Sequence, residues 1–336
     1  PEMVIGLYDW AVIVDHQRQR SVLVSHGRDP QTAEIRDEVV VRVSDSSPKP
    51  RPVFEVVSEV SSNFTYAEYS EAFSRVQDHI RRGDCYQINL TQRFAATVAG
   101  DSWNAYRKLR QTNPAPFSAY VSTPHGEILS SSPERFLHVN GDRVETKPIK
   151  GTRPRAADAE ADAGQQRELA ASAKDRAENV MIVDLLRNDL GKSCVPGSVR
   201  PERLFEIESF AHVHHLVSTV TGRLSPDRHP LDLVRGCFPG GSITGAPKVR
   251  AMQIIDELEP HRRSVYCGSI GYLGFNGRMD LNIAIRTLLR AGDSIYAWAG
   301  GGIVADSKVD AEYQESLDKA SGLLAVLSES RISAAG

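Results

Sequence analysis

Short apolar runs and longer amphipathic stretches follow one another along the chain, and they predict separate strands and helices. Residues 4–14 and 20–25 carry β-branched runs separated by polar residues, a pattern typical of a β-hairpin. Thr65 and Glu68 then form a candidate capping box, and the apolar positions that follow recur at helical spacing up to Gly83. The first part of the chain therefore predicts one hairpin and one well-capped helix.

The middle and the end of the chain mix predicted strands with predicted helices. Strand-like runs lie at 87–94, 117–122, 127–131 and 135–139, with three more between 269 and 298. Asn140-Gly141 is a strong hairpin turn. Helical periodicity covers residues 167 to about 190, about 245–258 and about 309–327, and Gly191 fits the end of the first of these helices. Grouped strands with interspersed helices predict an α+β fold rather than alternating βαβ units.

Chain length and local composition suggest how the predicted strands and helices are divided between domains. With 336 residues, 40% hydrophobic and 25% charged, the chain is long enough for a large core and has an ordinary globular composition. Residues 44–52 contain little besides Ser, Pro, Lys and Arg, which predicts an exposed linker. We therefore expect residues 1–60 to form a partial N-terminal sheet region with a linker, and residues 61–330 to form the main domain.

Charge and cysteine usage exclude several classes of function. The formal net charge is -3 and no basic stripe is present, so we expect no nucleic-acid partner. The apolar start is interrupted by Asp9 and Asp15 and is too short for a membrane span. The four cysteines lie far apart without metal-binding spacing, which favours a reducing cytoplasm over a disulfide framework.

Two pairs of acidic residues have the spacing of a cation site. Asp175 with Glu178, and Glu312 with Glu315, stand at i,i+3 on predicted helices, so each pair shares one helical face. Two such faces could hold Mg²⁺, which takes one or two carboxylates directly and keeps several waters. A solvated acidic face is the alternative that this pattern more often indicates.

Two glycine-rich segments could bring the backbone close to a ligand. Residues 240–248 resemble a phosphate-binding loop, but Ala246 and Pro247 interrupt the motif before Lys248. What remains is a glycine-rich entry to a helix, which could hold a carboxylate or be purely structural. Gly300-Gly301-Gly302 follows a predicted strand, and either close approach of a ligand or a wide turn would explain it.

Basic side chains offer two further candidates. His212 and His214 would share a strand face, with His215 beside them, but no acidic or cysteine partner stands at a recognised ligand spacing. Lys150 lies between Ile149 and Gly151 and could be an ordinary surface lysine. As a nucleophile it would need its pKa lowered from about 10.4 towards 7 or 8, by burial or neighbouring cations.

Six ordered motifs closely resemble the chorismate-utilising enzymes, the family of anthranilate, aminodeoxychorismate, isochorismate and salicylate synthases. The resemblance covers nearly the whole chain and is carried by residues 132–136, 148–153, 175–189, 240–252, 268–273 and 299–307. It implies two stacked antiparallel β-sheets with helices packed outside, and a buried site that binds chorismate and one Mg²⁺. Relatives carry a longer N-terminal segment, so we expect part of that segment to be lacking here.

The resemblance also implies roles for individual residues. Glu178 and Glu315 match direct magnesium ligands, whereas Asp175 and Glu312 match outer acids. Positions at the substrate match Gln87, Gly151, Thr152, His215, Ser242, Tyr272, Arg286, Gly300, Gly301 and Gly302. An arginine such as Arg286 can clamp a carboxylate with two parallel hydrogen bonds.

Two positions select the reaction within the family. Members that add water at C2 carry a lysine base where this chain has Gln87, which disfavours isochorismate and salicylate synthesis. Anthranilate synthases usually have alanine where this chain has Lys150, so the resemblance implies synthesis of 4-amino-4-deoxychorismate. We expect Lys150 to attack C2 of chorismate and Glu134 to protonate the leaving hydroxyl at C4.

No cysteine lies in a glutaminase-like context, so we expect ammonia to come from a separate glutamine amidotransferase subunit. Two alternatives stay open: anthranilate synthase component I or another chorismate enzyme, and a non-catalytic protein that kept the fold.

Overall fold

The chain forms two compact units. The structure, a computed structural model, describes residues 1–45, 47 and 49–331. One unit comprises residues 1–52 and the other begins at Val53. Residues 46 and 48 of the predicted linker lie outside the described residues, and its other residues are exposed. The division at residue 60 stays a prediction.

The first unit is a hairpin with one helix. Strands β1 (Trp10–Asp15) and β2 (Arg20–Ser25) pair antiparallel, which confirms the hairpin but places its first strand later than predicted. Helix α1 (Pro30–Ser44) follows, although the sequence pattern indicated no helix there. Its start is well specified, because the Asp29 side chain accepts a hydrogen bond from the Gln31 amide and proline fits the first turn.

The second unit holds the remaining elements. Its described strands are β3 (Glu55–Val56), β4 (Ser61–Ser62), β5 (Gln87–Ala99), β6 (Phe117–Thr123), β7 (Gly126–Ser132), β8 (Arg135–Asn140), β9 (Arg143–Lys147), β10 (Ile149–Pro154), β11 (Arg200–Ser209), β12 (Val213–Arg223), β13 (Gly245–Ala246), β14 (Gly271–Leu273), β15 (Met279–Asn282), β16 (Thr287–Ala291) and β17 (Ser294–Ile303). Its described helices are α2 (Tyr66–Arg81), α3 (Ser102–Thr112), α4 (Ala159–Ala171), α5 (Ala173–Gly191), α6 (Pro230–Cys237), α7 (Lys248–Leu258) and α8 (Val309–Ser328), with a short 3₁₀ turn at Gly241–Ile243.

Two antiparallel sheets organise this unit, as the α+β prediction requires. Among the described residues, one sheet has seven strands in the order β10-β12-β9-β8-β15-β14, with β11 on β12. The other has eight strands in the order β13-β5-β17-β16-β7-β6, with β3 and β4 also on β5. A shared apolar core joins them, in which Phe136 and Val220 from one sheet cluster with Trp298 from the other. The sheets therefore stack face to face.

Helices cover the sheets from outside. In one cluster, Leu109 of α3 and Leu323 of α8 pack on Leu129 and Ile295 of the eight-stranded sheet. In another, residues of α2 and α7 pack around Ile88 of β5. Burial of this kind contributes about 25 cal/mol for each Å² of apolar surface removed from water. The predicted arrangement of helices outside two sheets is confirmed.

The ends of three predicted helices can be compared with the structure. The capping box of α2 is present, since Thr65 Oγ1 accepts from the Glu68 amide and Glu68 accepts from the Thr65 amide. The helix predicted for 167–190 is wrong as a single element, because Ser172 ends α4 and caps α5. The helix predicted from residue 245 starts at Lys248, since Gly245 and Ala246 pair with β5 instead.

Candidate active site

The three glycines of β17 continue the strand rather than turn away from it. Gly300, Gly301 and Gly302 keep antiparallel register with β5. A Cβ on Gly301 would lie 2.8 Å from Glu312 Oε2, and one on Gly302 would lie 2.7 Å from Gln87 Nε2. The alternative of a wide turn is therefore wrong. Glycine is needed here because polar side chains approach the strand backbone closely.

Gln87 is a buried amide without a partner. Its side chain is fully buried in β5, and neither amide atom forms a hydrogen bond with any described residue. A Cβ on Gly302 would lie 3.4 Å from Lys150 Nζ as well, so the amine and the amide flank the same glycine. Burying an amide without a hydrogen bond costs about 1–3 kcal/mol, which a bound polar ligand would offset.

Lys150 supplies an amine in a poorly solvated position. It lies in β10 and is half-buried, and among the described residues it forms no hydrogen bond or ion pair. Desolvation lowers the pKa of Lys150, and Lys319 lowers it further, whereas Glu178, Glu134 and Glu315 act in the opposite direction. A lysine with a lowered pKa is more often neutral and therefore nucleophilic.

Glu134 supplies a carboxyl group that titrates near neutral pH. It lies in the turn between β7 and β8 and is 4% exposed. Burial raises the pKa of Glu134 to about 7, although a hydrogen bond from Ser242 and the charges of Lys150 and Lys319 lower it. The Ser242 hydroxyl donates to Glu134 Oε1 at 2.6 Å. The pair can deliver a proton at physiological pH.

Helices α5 and α8 bring carboxylates together around lysine ammonium groups. Lys174 Nζ lies 3.9 Å from Glu178 Oε1 and 4.0 Å from Glu312 Oε1. Lys319 Nζ lies 2.6 Å from Glu315 Oε1. Burial raises the pKa of both Glu178 and Glu312, whereas Lys174 acts in the opposite direction.

A further feature of these carboxylates is the burial of Glu312. Glu312 is 2% exposed, and its Oε2 has no hydrogen-bond partner among the described residues. Carboxylate oxygens are the donors that Mg²⁺ prefers. However, no group of three His, Cys, Asp or Glu side chains in the described part of the chain is close enough to form a metal centre.

Asp175 is tied to the strand that carries Lys150. Arg153 Nη2 donates to Asp175 Oδ2 at 3.3 Å. Gly151 has φ +91°, and a Cβ there would lie 2.9 Å from Asp175 Cγ. Glycine is therefore required at 151 both for backbone conformation and for the approach of α5.

His215 and Thr152 form a neighbouring pair. His215 Nδ1 and Thr152 Oγ1 are 2.9 Å apart across β10 and β12. Desolvation lowers the pKa of His215 to about 4, with further lowering from Arg286 and His214. At neutral pH the imidazole is uncharged, so it can donate or accept a hydrogen bond without adding charge.

Lys319 is a residue that the sequence pattern did not single out. Its Nζ lies 3.1 Å from the Gly300 carbonyl oxygen, and its own carbonyl accepts a hydrogen bond from Arg286. Burial lowers the pKa of the Arg286 guanidinium. The i,i+4 spacing from Glu315 was the one sequence signal that could have indicated Lys319.

Two predicted candidates lie apart from these contacts. Tyr272 on β14 is 64% exposed, and within the described residues it forms no hydrogen bond with the other candidates.

The histidines 212, 214 and 215 do not form one group. His214 Nε2 bonds Asp162 Oδ1 at 2.9 Å, and His214 Nδ1 lies 2.8 Å from Ser209 Oγ. His212 precedes β12, so it does not share a strand face with His214.

The sequence and the fold have counterparts among known proteins. The sequence pattern described as "chorismate binding enzyme" matches residues 1–325. The chain belongs to this family, which confirms the resemblance seen in its motifs.

Individual relatives show which members of the family the chain is similar to. The chain is 54% identical over 327 residues to aminodeoxychorismate synthase component 1 of Klebsiella aerogenes, covering 96% of this chain and 70% of that protein. It is 52% identical over 327 residues to the protein of the same name from Escherichia coli K12, with the same coverage. The crystal structure of anthranilate synthase component I from Streptococcus pneumoniae TIGR4 superposes with a TM-score of 0.83 at 34% identity, covering 93% of this chain and 71% of that one.

Among the described residues, no helix combines the length and apolar character needed to cross a membrane.

Proposed function

We propose that this protein converts chorismate and ammonia to 4-amino-4-deoxychorismate, acting as component 1 of an aminodeoxychorismate synthase. The observation that carries the proposal is the Lys150 amine, half-buried and without a described partner, in a site that also holds the protonatable Glu134. Identities of 54% and 52% to proteins named aminodeoxychorismate synthase component 1 support this member of the family.

The first half of the proposed reaction removes the C4 hydroxyl. The neutral Lys150 amine attacks C2 of chorismate, and its nitrogen keeps both hydrogens, so the new C–N bond gives a cationic secondary amine. The ring double bonds shift and the C4–O bond breaks, while Glu134 gives its proton to the departing hydroxyl, which leaves as water. Splitting one difficult displacement into two steps is the usual gain of covalent catalysis.

The second half restores the lysine and Glu134. Ammonia adds at C4, the double bonds shift back, and the C2–N bond breaks with its electron pair on nitrogen, so that Lys150 leaves as the neutral amine. The nitrogen at C4 loses a proton, which returns Glu134 to its acid form. Chorismate and ammonia thus give the 4-amino product and water, with the enolpyruvyl group retained.

The other candidate residues would hold the substrate. Glycines 300–302 let polar side chains approach the strand, and the free amide of Gln87 beside Gly302 could bond a polar group of the ring. Ser242 orients Glu134, and neutral His215 with Thr152 offers uncharged hydrogen bonds. Arg286, Tyr272 and Gly151 complete the proposed binding positions.

Magnesium is proposed as the cofactor. Glu178 and Glu315 would hold it directly, with Asp175 and Glu312 in outer positions, and the unpaired Oε2 of Glu312 supports this donor set. Bound there, the ion would supply positive charge for the substrate carboxylates. Glu178→Ala or Glu315→Ala should abolish the rise in melting temperature on adding magnesium; unchanged magnesium titrations would contradict the assignment.

The decisive experiment is mass identification of the product from chorismate, ammonia and magnesium. A 4-amino product that keeps the enolpyruvyl group supports the proposal. Fluorescent anthranilate with release of pyruvate would favour anthranilate synthase component I instead. Failure to bind chorismate with magnesium would favour a non-catalytic protein.

The role of Lys150 has its own test. Lys150→Ala should lower kcat by roughly 10²–10⁴-fold, the range that a positioned catalytic group contributes. Mass spectrometry of the stalled enzyme should show a lysine adduct in the wild type and none in this variant. Lys49→Ala, at an exposed lysine in the first unit, is the matched control. Intact turnover in Lys150→Ala would refute covalent catalysis.

The source of ammonia is proposed to be a separate glutamine amidotransferase subunit in the cytoplasm. The relatives are named "component 1", which implies a second component in those enzymes. Four buried free cysteines suit a reducing compartment. Glutamine-dependent turnover by this chain alone would contradict the subunit proposal.

A further inference from the structure

The loop that carries Ser242 is held by a buried ion pair outside the site. Glu259 follows α7, and Arg263 lies four residues later. Their side chains are 5% and 13% exposed, and two nitrogens of the guanidinium donate to the two carboxylate oxygens, at 2.9 and 2.6 Å. A two-point contact of this kind fixes the plane of the guanidinium.

The rest of the guanidinium connects two segments of the site. Arg263 Nη1 donates to the Ile243 carbonyl oxygen at 2.8 Å, immediately after Ser242. Arg263 Nη2 donates to the Asn89 carbonyl oxygen, two residues after Gln87. One cation therefore ties the Ser242 loop to the strand that carries Gln87.

The ion pair also continues a short ladder. Strand β13 pairs with β5 only at Gln87 and Ile88, and the Asn89 amide donates to the Thr244 carbonyl. Beyond that point the Asn89 carbonyl bonds Arg263, and the Thr91 amide donates to Glu259 Oε1 at 2.9 Å. Side chains thus take the place of the next strand residues, which satisfies main-chain groups that burial would otherwise leave unpaired.

We propose that Arg263, oriented by Glu259, is a positioning residue that holds the Ser242 hydroxyl on Glu134. The inference rests on the proposed function, because that function makes Glu134 the general acid. The route is short: Arg263 fixes the Ile243 carbonyl, Ile243 adjoins Ser242, and Ser242 bonds Glu134 at 2.6 Å.

If Arg263 has this role, its loss should change the pKa of Glu134. The Ser242 hydrogen bond lowers the pKa of this carboxyl against the effect of burial. Loss of the loop contact should therefore raise it, whereas the other charges that face Glu134, Lys150 on β10 and Lys319 on α8, stay in place. A role in stability alone would leave this titration unmoved.

The test is an infrared titration of the carboxyl band that Glu134→Gln removes. Arg263→Lys keeps the charge but loses the two-point contact, so it should raise the titration midpoint as much as Ser242→Ala does. The double variant should match Ser242→Ala alone, because both changes act through one hydrogen bond. Arg262→Lys, at the exposed neighbouring arginine, should titrate like the wild type.

Glu259→Gln provides a second route if Arg263→Lys does not fold, and it should move the midpoint in the same direction. In active enzyme, Arg263→Lys should also lower kcat by about tenfold, part of the contribution of a general acid. A midpoint equal to the wild type, or additive shifts in the double variant, would overturn the inference. The titration needs no turnover, so absence of the 4-amino product in the wild type would contradict the proposed function instead.

Discussion

Lys319 Nζ lies 2.6 Å from Glu315 Oε1, one helical turn earlier on α8, and 3.1 Å from the carbonyl oxygen of Gly300. This ammonium group lowers the pKa of Glu315, Lys150 and Glu134. It therefore contributes to the protonation of both the proposed nucleophile and the proposed acid, in addition to burial.

Removing this charge should move the pH dependence of turnover. In Lys319→Met, the pKa of Lys150 should rise and so should the pKa of Glu134, because each loses a neighbouring cation. Lys150 acts when neutral and Glu134 acts when protonated, so both limbs of the kcat profile should move to higher pH. If the pKa of Lys150 rises by about one, kcat at a fixed low pH should fall about tenfold. Lys49→Met is the control. A kcat profile of Lys319→Met whose two limbs lie at the same pH as in the wild type would contradict the prediction.

Burial of Glu134 should make stability depend on pH. Its folded pKa of about 7 lies above the ordinary value of 4.5, so the folded state binds the extra proton and stability falls as pH rises between these values. Glu134→Gln removes this dependence. Its free energy of unfolding relative to the wild type should therefore increase from pH 4 to pH 8 by up to about 3 kcal/mol.

Urea unfolding of both proteins across this pH range measures that difference. Glu68→Gln is a contrasting variant, since the capping hydrogen bonds lower the pKa of this exposed carboxyl. A pH-independent difference between Glu134→Gln and the wild type would show that the carboxyl is ionised in the folded protein.

A methyl group at Gly301 should weaken magnesium binding. A Cβ there would lie 2.8 Å from Glu312 Oε2, so this carboxylate must shift, whereas Glu315 Oε1 at 3.4 Å would be in ordinary van der Waals contact. Loss of an outer partner typically costs 10–100-fold in metal affinity, and we expect about tenfold for Gly301→Ala. The magnesium dependence of the melting temperature measures this change.

Gly164→Ala is the matched control for that experiment. Gly164 lies within α4, and a Cβ there would meet no atom within 4 Å. We expect this variant to stabilise the protein by about 0.5–1 kcal/mol without changing magnesium affinity, because alanine favours the helix. Equal affinities for the two glycine variants would count against the proposed metal position.

The buried carboxylate of Asp189 should be important for stability. Asp189 is 1% exposed and accepts hydrogen bonds from Lys192 and Lys248, and Lys248 also donates to the Cys237 carbonyl at 2.6 Å. Lys248→Met should destabilise the protein by about 3–5 kcal/mol, since it leaves a buried carboxylate poorly paired. Lys192→Met should cost less, because the Lys192 side chain is half exposed. Chemical denaturation of both variants tests this order.

Much of the fold could be predicted from local sequence signals. Thr65 with Glu68 marked the start of α2, and Asn140-Gly141 marked the turn between β8 and β9 because glycine there has φ +63°. The break between α4 and α5 was missed, since it is marked by one hydrogen bond from the Asp175 amide to the Ser172 hydroxyl rather than by a Gly or Pro.

The site was less predictable from spacing alone. The i,i+3 carboxylates could be placed on helical faces, but only the fold brings α5 and α8 together around Lys174. Arg263 lies next to the exposed Arg262, and the residues around it form no motif that indicates a role in the site. Its contacts with Ile243 and Asn89 depend on segments 20 and 174 residues away, which no local pattern reports.

The ion pair of Glu259 and Arg263 has a further consequence for β5, a strand of 13 residues. Along its outer edge, main-chain groups of Asn89 and Thr91 are covered by that pair, and those of Arg93 and Thr97 by Asn63, Val57 and Ser58. A long strand with an open edge invites another chain to add to the sheet and aggregate. Two charged side chains therefore close one section of an edge along which molecules of this protein could otherwise associate.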